Sequence, residues 1–176
     1  MYLMSVSGDI SMTRVVVVGD AHVGKTRFMH CATGTCIPVN IFRSINVEYF
    51  TMCGTSFVVV PGDATNDVLA RVSDQADGVI VLYAVDNGIA HAARWLRRMR
   101  SVSNGMLGVP LLLCAHSLKP AVRIAPPDVS ALLRQYPNAE HAHTTEQWPD
   151  GIADCANRIV YRIRRRPPSP LSAYVD

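Results

Sequence analysis

The chain has no apolar run long enough to cross a bilayer: its longest, Gly78–Val85, falls far short of the ~20 residues a spanning helix needs. Its opening MYLMSVSGDISMT lacks a basic stretch ahead of a long apolar block, so no signal peptide is expected. Tyr2 stands where N-myristoylation requires glycine, and the closing SAYVD offers no cysteine to prenylate. We therefore expect a soluble, cytoplasmic protein with no membrane anchor of its own. The five cysteines (31, 36, 53, 114 and 155) form no C-x-x-C pair. Three of them lie within apolar patterns, which suits buried reduced thiols. Charged residues are scarce, at 18% against 49% hydrophobic, and that balance excludes disorder for most of the chain. A basic face is missing too. The formal charge of +3 includes Arg162, Arg164, Arg165 and Arg166, so the remainder sums to about −1 and no nucleic-acid partner is expected.

What is present is an alternation of apolar runs and helical patterns across 176 residues, the length of one domain. Val15–Val18 reads as a buried strand and Thr26–Thr33 as a short helix closed by Gly34. Ile45–Met52 and Ser56–Val60 flank Cys53-Gly54-Thr55, a hairpin turn by length and glycine content. Gly78–Val85 and Pro110–Ala115 are further buried strands. Ile89–Ser103 is a helix with Ile89, Ala93, Leu96 and Met99 on one face and Arg94, Arg97 and Arg98 opposite. Pro127-Asp128 starts a short helix that Pro137 ends, Ala139–Thr145 is an edge strand, and a last helix runs from Pro149 to Arg166. The order predicts an α/β fold: a doubly wound, mostly parallel six-stranded sheet with helices on both faces. Residues 1–13 are expected to form a flexible N-terminus ahead of the domain (14–166), and 167–176 a disordered proline-rich tail.

After the first strand comes GDAHVGKT, which meets the spacing G-x-x-x-x-G-K-[ST] with Gly19, Gly24, Lys25 and Thr26. Two glycines let the backbone of Gly19, Asp20, Ala21, His22, Val23 and Gly24 wrap a phosphate with its N–H groups inward. Lys25 would reach the β- and γ-phosphates, the Thr26 hydroxyl would sit on Mg²⁺, and the helix from Lys25 through Arg27 would add its N-terminal dipole. The expected ligand is a nucleoside triphosphate.

From Arg14 to Arg166 the chain resembles a Ras-superfamily small GTPase of the Rab-like branch, a P-loop NTPase small G-domain. Besides GDAHVGKT, the matching pieces are RSINVEYF, ADGVIVLYAVDN with ARWLRRMR, and VPLLLCAH. The resemblance implies GTP with Mg²⁺ as cofactors, and it sets Ser44 where the family has a threonine that ligates Mg²⁺. Two motifs depart from the pattern. In VVVPGDATND, one register gives Asp63 the family's Mg²⁺-site aspartate position, with Asn66 and Asp67 at those of its glycine and glutamine; another puts that aspartate position on Val59 or Pro61. Neither supplies the glutamine that orients water, so hydrolysis should be slow or absent. In place of Asn-Lys-x-Asp stand His116, Ser117, Leu118 and Lys119, and lysine cannot accept guanine's two donors. GTP selectivity should be weak, with ATP tolerated. His143-Thr144-Thr145 echoes the family's Ser-Ala-Lys.

CAHSLKP and PGDA make the chain look like the atypical Rab-like GTPase of the intraflagellar transport B complex. That resemblance implies a nucleotide-loaded subunit docked on coiled-coil proteins of a ciliary or flagellar transport train. The alternative is a Rab-like switching GTPase of vesicle traffic that hydrolyses GTP with an activating protein. Ile41 and Phe42 are candidates for the docking surface, with the Arg94/Arg97/Arg98 face next. His141 and His143 alternate along one strand as a metal pair would, though surface or pocket roles are the commoner use. Arg164-x-x-Pro167-x-x-Pro170 has polyproline-ligand spacing, a match that arises easily by chance in such tails.

Overall fold

Four consecutive valines, Val15–Val18, have no solvent exposure at all. β-Branched side chains suit the pleated backbone, and a run without polar alternation needs cover on both faces. Strand β1 (Thr13–Val18) receives that cover at the centre of the sheet. The structure, a computed structural model, describes residues 12–36, 46–103, 108–117 and 126–166.

The other strands are β2 (Glu48–Met52), β3 (Thr55–Val59), β4 (Gly78–Ala84), β5 (Leu111–Ser117) and β6 (Ala139–Thr145). They form a six-stranded sheet in the order β2-β3-β1-β4-β5-β6. Only β2 is antiparallel to its neighbour. β1 pairs in parallel with β3 (Thr13 opposite Thr55) and with β4 (Val15 opposite Gly78). The helices are α1 (Lys25–Thr33), α2 (Asn66–Ser73), α3 (Ile89–Val102), α4 (Pro126–Gln135) and α5 (Pro149–Arg164).

The two-residue period of the strands sorts the core into two layers. Val15 and Val17 pack with Phe28 and Met29 of α1 and with Ile152, Ala156 and Ile159 of α5. Val16 and Val18 pack on the other face with Leu69 of α2, Leu96 and Met99 of α3, and Leu132 of α4. Each fully buried valine contributes roughly 1.5–3 kcal/mol relative to exposure. The α/β order with helices and a mostly parallel sheet is as the sequence leads one to expect.

Several elements differ in detail. β1 begins at Thr13, inside the stretch expected to precede the domain. The hairpin turn has two residues, not three: Cys53 and Gly54 both adopt positive φ, and Thr55 already pairs with Met52. Helix α2 is absent from the expected order, because it is short and its Thr65 N-cap lies in a polar run. α3 buries Ala92, Trp95, Leu96 and Met99, while Ile89 and Ala93 are only partly covered. The stripe is set by the large Trp95 ring, one residue away from the expected face. Its arginines are partly engaged inside the molecule: Arg98 lies 5.0 Å from the Trp95 ring centroid, donates to Asn66 Oδ1 at 2.9 Å and bonds the Ala64 carbonyl, tying α3 to α2. α5 ends at Arg164 rather than Arg166. Of the cysteines, Cys114 and Cys155 are buried, Cys31 is half-buried, and Cys36 and Cys53 are exposed. Among the described residues, no helix is long and apolar enough to cross a membrane.

Candidate functional site

β1 and β4 are parallel neighbours whose onward connections diverge. The chain leaves β1 through α1 on one face and leaves β4 through α3 on the other. Such a switch point opens a crevice beyond the carboxyl ends of the two strands, where α/β sheets bind ligands. Residues 19–24 lie at this point.

Two close approaches shape the loop. Gly19 has φ 153°, and a Cβ there would fall 2.1 Å from the Leu82 carbonyl oxygen. Gly62, just past β3, would carry a Cβ 2.1 Å from the Ala21 nitrogen. PGD of residues 61–63 therefore lies directly against the loop, and only glycine lets it do so. His22 takes the left-handed conformation at φ 64°. Gly24 caps α1, and Val23 is buried beneath the loop.

Lys25 is only 8% exposed, and its Nζ donates to the carbonyls of Gly19 and Asp20, each at 2.8 Å. Burial pulls its pKa down to about 8, against the attraction of Asp20, Asp63 and Glu48. Thr26 Oγ1 donates to Glu48 Oε2 at 2.6 Å. Asp63 is exposed, and its charge reaches Lys25; Val59 and Pro61, the other register's positions, are buried and offer no side-chain oxygen. Thr26, Glu48 and Asp63 give this corner an all-oxygen character that fits Mg²⁺. Among the described residues, no three His, Cys, Asp or Glu side chains cluster, and Mg²⁺ held beside a nucleotide needs only one or two carboxylates, the phosphates supplying the rest.

Asp20 does not leave its side chain idle. Its carboxylate accepts from Arg94 at 2.6 Å and Trp95 Nε1 at 2.8 Å, and pairs with His91 Nδ1. Burial would raise its pKa, but the bonds from His91, Trp95 and Arg94 prevail and hold it below the ordinary value. The loop is thus fastened to α3. Arg27, at the start of α1, pairs with Glu146 at 3.0 Å, and the Glu146 N–H donates to the Ser117 carbonyl at 3.2 Å.

His116, at the end of β5, is 1% exposed, with Nδ1 3.0 Å from Thr144 Oγ1 and its ring edge-on to Phe28 at 6.0 Å. Its Nε2 is buried without a hydrogen-bond partner. Burial first, then Arg27 and His143, pull its pKa down to about 4, so the ring is neutral near pH 7. Thr144 and Ser117 are buried beside it on paired strands, whereas His143 is exposed. His141 Nε2 lies 2.9 Å from the Tyr83 hydroxyl. Ser44, Lys119, Ile41, Phe42 and the Pro167–Pro170 motif lie outside the described residues.

The loop, Lys25, Thr26 and Asp63 are therefore brought together at one corner, and His116, Ser117 and Thr144 at another, joined by α1. Glu48, inside RSINVEYF, and His91 and Trp95 of α3 carry no signal in the sequence, and Arg94, expected as part of a docking face, is instead bonded to Asp20. Their partners are distant in sequence, and no local spacing reveals them. No protein-family model matches the chain, and no curated protein matches it significantly.

Proposed function

We propose that this chain is an atypical small-GTPase-like protein with a P-loop small G-domain, binding GTP with Mg²⁺ and tolerating ATP. One observation carries the proposal: a glycine-shaped loop, followed by a buried lysine at a helix N-terminus, stands at the switch point between β1 and β4. Phosphate would meet the loop's N–H groups and Lys25, while Thr26 and Asp63, with Glu48 beside them, would hold Mg²⁺. Bound Mg²⁺ supplies charge neutralisation for the phosphates.

Hydrolysis is slow in this scheme. The segment around Asp63 contains no glutamine, and Gln75 is engaged with Arg14 at 2.6 Å. Base discrimination is weak as well. His116 is a neutral ring with one unpartnered nitrogen, and Lys119 only donates, so ATP should bind within about tenfold to thirtyfold of GTP. The protein then serves as a nucleotide-loaded subunit of the intraflagellar transport B complex, docked on coiled-coil partners in the cytoplasm and the cilium or flagellum. Support for that role is the CAHSLKP resemblance.

Chromatography of nucleotide released from the purified protein tests the assignment, together with calorimetry of Lys25→Ala. The variant should lose at least about tenfold in affinity, ~1.4 kcal/mol. Unchanged affinity would refute the loop's role, and single-turnover hydrolysis above ~10⁻³ s⁻¹ without a partner would refute the slow-enzyme assignment.

A further inference from the structure

At the opposite end of the sheet, we infer a second binding site, for an acidic peptide segment of a partner protein. It is independent of nucleotide binding. Because β1, β4, β5 and β6 run parallel, the ends where β5 and β6 begin face away from the loop at residues 19–24. A cavity of about 470 Å³ opens there between Pro110, Asn138 and the end of α5, where Tyr161, Arg162, Arg165 and Arg166 line it. Its described lining contains three guanidinium groups and no carboxylate.

Two of these arginines are held in place before any ligand arrives. Arg162 donates to the carbonyls of Leu111 at 2.8 Å and Asn138 at 2.5 Å. Its nearest counter-charge, Glu140 at 3.7 Å, is shared with Arg158. Arg165 stacks with its guanidinium 4.3 Å from the centroid of Tyr161, whose side chain is 54% exposed. Arg166 is exposed beside them. Arg162, Arg164, Arg165 and Arg166 stand within five residues at the end of α5, and together they exceed the +3 net charge of the whole chain.

Arg162 spends both Nη atoms on strand-end carbonyls and shapes the wall, so ligand carboxylates would meet the forks of Arg165 and Arg166. Bidentate pairing suits them, and the ring contact that orders Arg165 in advance removes entropy that binding would otherwise cost. Tyrosine and arginine together are the side chains that dominate protein–protein hot spots. Favourable charge at a helix C-terminus accounts for arginines there in general. It does not account for a cavity, a stacked aromatic wall and a half-buried arginine bonded to two strand ends. A small polyanion or a lipid headgroup would meet the guanidinium groups and leave the Tyr161 and Pro110 wall unused. Glutamate or aspartate side chains on a peptide use both features.

Fluorescence anisotropy of labelled hexaglutamate against the full chain provides the test. Saturable one-to-one binding is expected, weakened at least about tenfold by Arg165→Glu with Arg166→Glu. Arg71→Glu with Arg100→Glu makes the same charge change at exposed positions on α2 and α3 and should leave affinity within about twofold. Equal weakening by both pairs would mean diffuse attraction and overturn the site. Tripolyphosphate displacing the label at lower concentration than unlabelled hexaglutamate would reassign it to small polyanions. Vesicles with about 30% phosphatidylserine retaining the protein while hexaglutamate fails to bind would reassign it to membranes. Should the charge reversal disturb folding, hydrogen exchange of the unaltered protein decides: hexaglutamate must protect amides at 108, 109, 111 and 161–166, and no protection there refutes the proposal.

Discussion

Lys25 carries a cost that can be measured without any ligand. Burial brings its pKa from an ordinary 10.5 to about 8, a change worth roughly 3 kcal/mol between its charged and neutral forms. The native chain holds this proton less tightly than the unfolded chain does. Between pH 8 and 10.5 the unfolded state therefore binds more protons, and stability should rise with pH across that window. Below about pH 8 the full penalty is present. Lys25→Met removes the titrating group and leaves the Gly19 and Asp20 carbonyls without their donor, a loss of about 1–3 kcal/mol at every pH. Absolute stabilities near neutral pH should therefore be similar, and the slope is the informative quantity. In urea unfolding from about pH 7 to 10.5, the unaltered protein should gain roughly 3 kcal/mol relative to the variant. Tyrosines and cysteines titrate in both proteins and cancel in the difference. Parallel pH profiles would refute a desolvated charge at Lys25.

His116 should give the mirror result in acid. Its ring is held neutral down to about pH 4, so the unfolded chain protonates first and stability falls as pH drops below 6.5; His116→Asn should abolish roughly 3 kcal/mol of that loss in urea titrations. Gly62→Ala should destabilise by about 3 kcal/mol or more and shift the amide resonances of residues 19–24, because the new Cβ meets the Ala21 backbone and not a movable side chain. Thermal unfolding and an amide spectrum unchanged from the parent would show that the 61–63 segment does not press on the loop.

The strands were readable wherever burial was complete. Val15–Val18 and the runs in β4 and β5 carry no polar interruption; Ala139–Thr145, where only Thr144 and Thr145 favour strands, is legible chiefly by its place in the alternation after Pro137. The phosphate-loop spacing was readable because its parts are contiguous. Helix α2 was not, since its buried side consists of little beyond Leu69 and the polar flanks read as loop. The stripe of α3 was misplaced by one residue because Trp95 both fills the core and donates to Asp20 across 75 positions of sequence. Glu48 was missed for the same reason: its link to Thr26 is a fact of three dimensions. Periodicity reports which face is dry, not which polar atom meets which.

The sheet order also sets a timetable for folding. The β2–β3 hairpin closes locally, through a two-residue turn, and can form in microseconds. β1 has no such partner. Thr13 must wait for Thr55, and Val15 for Gly78, before its backbone groups are paired on both sides. At ribosomal speeds of roughly 5–20 residues per second, four adjacent valines spend several seconds unpartnered. Four uncharged β-branched residues in a row, with Arg14 just ahead of them, form a segment prone to pair with a neighbouring chain. The feature that gives the finished domain its dry centre thus makes the nascent chain dependent on protection until β4 has emerged.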